Sequence, residues 1–224
     1  MEQVSTEYII LNHKEGGKFF SWSDRLPGIP VFLTVLVAAF YIPVTLIWSG
    51  IIPFQYRFHT SAVFIVFVLV FCAMRQHGLR DLGFRYDNLG GSLFWNGIFC
   101  LIGGVLLFLL YKAGYQKSPY RTVSQHCYVT YIFLLAPAQE FFFRGVLFAE
   151  IKKTMLNASR WALLLITSVS FCFLHVIYGH LPMVVITFCA AILWGFIYER
   201  HPNIWGVSIS HSLLGIIAIA FGII

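Results

Sequence analysis

Glu140 and Arg144 stand one helical turn apart inside the apolar run 128–149, in the text Ala136-Pro-Ala-Gln-Glu-Phe-Phe-Phe-Arg-Gly145. Their i, i+4 spacing puts both on one helix face. Ionic side chains inside a membrane-length segment are costly, so the pair is first read as functional. The competing reading is a structural ion pair that fixes helix packing. Two further apolar segments carry one histidine each, in Phe171-Cys-Phe-Leu-His175 and in Ile209-Ser-His211-Ser-Leu-Leu-Gly215. One such histidine alone reads as an interhelical hydrogen bond. Two on separate segments, beside a Glu/Arg pair, read as one site for water chemistry. Glu140 would take a proton from water. His175 and His211 would hold a developing oxyanion or bind a metal. A catalytic zinc needs about three protein ligands, a count that Glu140, His175 and His211 meet. No HExxH is present, and the guanidinium of Arg144 opposes a divalent cation. The expected cofactor is therefore none, with zinc as the alternative. Pro137 removes a backbone donor just before the pair and frees a carbonyl. A serine nucleophile is disfavoured: no GxSxG occurs, and Ser210 and Ser212 flank His211 on other helix faces.

The elements that position these residues must be membrane helices. Of 224 residues, 59% are hydrophobic and 11% charged, against about 25% charged in soluble domains. Mean hydropathy is +0.80. Seven spans are expected, at about 30–50, 59–74, 92–112, 126–150, 159–178, 181–198 and 203–223, with six to eight as the range. The fold class is all-α, a polytopic bundle forming a single transmembrane domain over 30–224, with the motif-bearing core at about 125–220. Residues 1–29 are expected to form a cytoplasmic or interfacial segment. The first apolar run is expected to act as an uncleaved insertion signal. The segment 78–87 is amphipathic and is expected at the interface. Basic residues fall unevenly between the spans. Lys14, Lys18, Arg25, Arg75, Arg80, Arg85, Lys152, Lys153, Arg160 and Arg200 lie on one side, and Arg57, Lys112, Lys117 and Arg121 on the other. That asymmetry predicts a cytoplasmic N-terminus in a bacterial or archaeal plasma membrane. The formal charge of +6 is scattered and forms no patch, so nucleic acid is excluded as a partner and membrane lipid is expected. Cysteines 72, 100, 127, 172 and 189 lie in or beside apolar runs without CxxC spacing and read as small core residues.

Three ordered motifs carry a resemblance. Gln139-Glu140-Phe-Phe-Phe-Arg144, Phe171-Cys-Phe-Leu-His175 and His211-Ser-Leu-Leu-Gly215 resemble the Glu-Glu-xxx-Arg, Phe-xxx-His and His-xxx-Asn motifs of the CPBP family (CAAX protease and bacteriocin-processing, Rce1-like intramembrane proteases) over roughly 125–220. The resemblance implies a glutamic-type endopeptidase that cuts a membrane-associated or C-terminally anchored protein or peptide. Its implied catalytic residues are Glu140, His175 and His211, oriented by Gln139 and Arg144, with Phe171 and Gly215 near the substrate or oxyanion. The sequence departs from the family at two of these positions. The position usually assigned to water activation is Gln139, which can orient water but cannot act as a base. The family's third-motif Asn is Gly215. For Glu140 to replace the missing base, the site must rotate about 100° round the helix or relay a proton. The alternative is a weakened or inactive membrane protein that binds lipidated or transmembrane segments. A transporter is a third reading, and no internal symmetry supports it.

Overall fold

The computed structural model describes residues 29–115, 125–155 and 158–223. The expected N-terminal segment, up to residue 28, lies outside them. Among the described residues every regular element is helical. In order these are α1 (Ile29–Trp48), α2 (Arg57–Arg75), α3 (Leu89–Lys112), the composite rod α4 over 125–154, α5 (Arg160–Phe173), α6 (Leu181–Arg200) and α7 (Ile204–Ala220). A hydrocarbon core is about 30 Å thick and takes about 20 helical residues. Six helical stretches are long and apolar enough to cross it, and α7 is a shorter apolar helix.

Local chemistry sets the ends. Ser159 caps α5 by accepting the Ala162 N–H at 3.1 Å. Its continuation Leu174–Tyr178 stops at Gly179, whose φ of 62° is left-handed. Asn203 caps α7 through Trp205 N and Gly206 N at 3.1 and 3.2 Å. Its amide also donates to Arg85 O at 2.6 Å and Asn88 Oδ1 at 3.0 Å, which ties α7 to the loop before α3. That loop, expected at the interface, packs onto the bundle through two apolar residues. Leu82 is part of the core, and Phe84 packs on Phe141 and Trp205. On its exposed rim Arg85 and Arg80 hold Asp87 at 2.6 and 2.9 Å. The Arg85 hydrogen bond draws the Asp87 carboxyl down to about 2.

The motif helix lies at the centre. Half of the Tyr128–Thr154 window is buried, against 11% for α3. On α1 the core residues Phe32, Leu36, Phe40 and Val44 recur every four residues, so one stripe faces inward. Phe40 and Phe64 meet Phe142 at ring centroids 5.2 and 4.7 Å apart. Phe143 bridges Phe40 and Phe171 at 5.3 and 5.2 Å. Such aromatic pairs add about 0.5–1.5 kcal/mol each beyond burial. They fix one face of α4 against α1, α2 and α5, which leaves Glu140 and Arg144 to α6 and α7. Small residues bring α3 against α7. A Cβ on Gly206 would overlap Ser92 Oγ, and one on Gly103 would sit 3.0 Å from Leu214.

The end of α4 is held by a second polar cluster. Arg75 Nη2 lies 3.0 Å from Glu150 Oε1, and His77 Nε2 lies 3.0 Å from Glu150 Oε2. Thr154 Oγ1 donates to Glu150 Oε1 at 3.2 Å, and Lys153 Nζ donates to Arg75 O at 3.0 Å. His77, just beyond the end of α2, belongs to this clamp between α2 and α4.

Candidate active site

The site is built on irregular stretches of α4. Two π-helical turns, Tyr131–Leu135 and Phe141–Leu147, flank the short α-helical piece Ala136–Glu140. Pro137 removes an N–H and crowds the carbonyl four residues earlier, and the helix widens just there. At Gly145 the absent side chain admits the loop backbone, since a Cβ would lie 3.1 Å from Leu82 O.

Glu140 has no exposed surface, and Arg144 is 1% exposed. Arg144 Nη1 donates to Glu140 Oε1 at 3.3 Å. Its Nε lies 3.2 Å from Oε2 without the alignment of a hydrogen bond. The guanidinium then reaches α6, where Nη2 donates to Ala191 O at 3.1 Å. Its plane also lies over the Phe171 ring at 4.6 Å. This stacking suits a delocalised cation and disfavours lysine.

Glu140 Oε1 also lies 2.7 Å from His211 Nδ1. A carboxylate accepts only, so Nδ1 is the donor, and in the neutral imidazole Nε2 keeps a lone pair. His175 Nδ1 lies 3.0 Å from Phe171 O, and the same reasoning makes its Nε2 an acceptor. Phe171 packs on both imidazoles, with centroids 5.2 Å from His175 and 5.4 Å from His211. Both histidines line one cavity of about 300 Å³, together with Tyr131, Phe171, Trp194 and Gly215. Its remaining wall is mostly aliphatic, including Leu106, Leu110, Ile186 and Leu193.

Residues 121–217 match the family model described as type II CAAX prenyl endopeptidase Rce1-like. That segment of the chain is similar to this family. The match is consistent with the CPBP family, whose members are intramembrane proteases. Neither a curated protein nor a solved structure matches the chain.

The structure thus gathers Glu140, Arg144, Phe171, His175, His211 and Gly215 of the Rce1-like motifs. Gln139 falls elsewhere. It lines a smaller cavity of about 80 Å³ with Phe40, Ser61, Phe64 and Leu174, where its Oε1 is buried without a hydrogen-bond partner. Among the described residues no group of three His, Cys, Asp or Glu is arranged to hold a metal ion. Within the candidate set, the Nδ1 atoms of both imidazoles and Oε1 of Glu140 are already engaged.

Two participants had escaped the sequence reading. Trp194 packs on the His211 ring with centroids 4.8 Å apart and planes tilted by 35°, and its Nε1 donates to Ser210 Oγ at 2.9 Å. Tyr131 sits edge-on to His211 with centroids 6.0 Å apart. Both lie in apolar runs where an aromatic residue reads as core. The available signal for Tyr131 was indirect: the glycine at 215 leaves space.

Proposed function

We propose that this protein is an intramembrane endopeptidase in which Glu140 acts on water through His211. The observation that carries this reading is the buried 2.7 Å contact between Glu140 Oε1 and His211 Nδ1, with both His211 and His175 on one cavity. It suits a relayed proton, one of the two ways in which Glu140 could replace the base missing at Gln139. His211 Nε2 takes a proton from a water in the cavity, and the resulting hydroxide attacks the scissile carbonyl carbon. Glu140 stays ionised and stabilises the imidazolium. As the tetrahedral intermediate collapses, His211 returns the proton to the amine nitrogen and the C–N bond breaks. His175 Nε2 accepts the water's other hydrogen and orients it. Arg144 holds the Glu140 carboxylate in place.

The largely aliphatic cavity suits an apolar occupant, and the Rce1-like match favours a prenylated C-terminal peptide. No step above needs a metal, and the Arg144 charge opposes a second cation beside Glu140. The uneven distribution of Lys and Arg supports a cytoplasmic N-terminus.

The test is incubation of the purified protein, in lipid vesicles, with a farnesylated peptide ending in Cys-aliphatic-aliphatic-X. Mass spectrometry should detect loss of a C-terminal fragment, at a rate unchanged by chelator. Loss of activity on chelation, restored by zinc, would contradict the metal-free mechanism. Absence of cleavage would contradict the assignment.

A further inference from the structure

A developing oxyanion needs hydrogen-bond donors aimed at it. The cavity's donors can be counted. His211 gives its one N–H to Glu140, and His175 gives its one N–H to Phe171 O. Before attack two neutral imidazoles so committed are both acceptors towards the cavity, and in the intermediate the Nε2–H that His211 has gained is directed to the leaving nitrogen. Trp194 Nε1–H is given to Ser210 Oγ, and Thr187 Oγ1–H to Met183 O at 2.8 Å. Arg144 does not line the cavity, and its guanidinium is directed to Glu140 and Ala191 O. The other polar lining groups are the hydroxyl of Tyr131 and the thiol of Cys189, which is a weak donor. The Tyr131 hydroxyl makes no hydrogen bond among the described residues.

We infer that Tyr131 is a catalytic residue whose hydroxyl donates the hydrogen bond to the oxyanion of the tetrahedral intermediate, in a space that Gly215 keeps open. The inference rests on the hydrolytic reading above. Its geometry comes from α7. Gly215 follows His211 by four residues and so lies on the same face one turn along. A Cβ at 215 would overlap the Tyr131 hydroxyl and ring. Any side chain there displaces the phenol. Glycine seats the hydroxyl one turn from the imidazole that activates water. The π-helical turn that begins at Tyr131 sets the approach of this ring to α7. Through the reaction Tyr131 keeps its proton. It donates more strongly as negative charge builds on the carbonyl oxygen and relaxes when the C–N bond breaks.

The test uses full-length protein in vesicles with the same farnesylated peptide. Tyr131→Phe keeps the ring and removes the donor. Its kcat should fall by about 10²–10³, the cost of one oxyanion donor, with KM changed less than twofold and thermal unfolding unchanged. Gly215→Ala should lose activity similarly by displacing the phenol. A structural role for Tyr131 would not predict rescue. The pair Tyr131→Ala with Gly215→Asn supplies an amide N–H from the other helix and should recover at least tenfold over Tyr131→Ala alone. Wild-type kcat in Tyr131→Phe, or no gain in the double variant, overturns the inference and leaves the hydrolytic reading standing. Absence of turnover in the wild type overturns both.

Discussion

His211 offers one Nδ1–H, and Glu140 receives it at 2.7 Å. In the proposed mechanism the two residues work as a unit, the carboxylate fixing the tautomer that leaves Nε2 basic. Units of this kind are non-additive on mutation. Glu140→Gln keeps an acceptor but removes the charge that stabilises the imidazolium, and His211→Ala removes the base. Each should lower kcat by about 10²–10⁴, the range for general acid–base catalysis. The combined variant should be no slower than the slower single one, as read from turnover per folded molecule. Losses that multiply would mean that the two act separately. Much of this unit was legible in the residue types, since Glu, Arg and two His inside apolar runs have few structural excuses. The division of labour was not. Neighbouring positions 139 and 140 differ by about 100° around a helix, and only the packing of Phe142 and Phe143 decides which one meets His211.

Helix α4 carries two buried carboxylates with different work. Glu140 meets a base that lines a cavity, whereas Glu150 meets Arg75, His77 and Thr154 and lines none of the cavities described above. Glu150 closes the α2–α4 clamp. Breaking a buried ion pair by removing one partner costs about 3–5 kcal/mol. Glu150→Ala should therefore lower the thermal midpoint in detergent markedly, while turnover per folded molecule stays at the wild-type level. A specific loss of turnover without destabilisation would contradict this structural role. At this scale the sequence was informative about extent, because a bilayer demands about 20 apolar residues per crossing. The expected spans agree with the helices to within a few residues, and Ser159, Gly179 and Asn203 mark ends by recognisable capping chemistry. Orientation about each axis was hidden, because helices that are apolar all round have no polar face to reveal it. The Arg144 contact with Ala191 O was hidden too, since a backbone carbonyl acceptor leaves no mark in residue type.

The whole molecule is a multi-pass helical membrane protein whose most buried helix carries the Glu140–Arg144 pair. Lipid-facing helices such as α3 wrap an interior where Glu140 pairs with Arg144 and His211, and His175 bonds a backbone carbonyl. That is how ionic groups persist at membrane depth. The central claim is that this interior cuts peptides with water activated by Glu140 and His211 and oriented by His175. The most direct measurement compares wild type, Glu140→Gln and His175→Ala in vesicles against the farnesylated peptide, with unfolding followed on the same samples. The account predicts cleavage by the wild type, and at least a 10²-fold loss in both variants at unchanged stability. Wild-type turnover by both variants would contradict it.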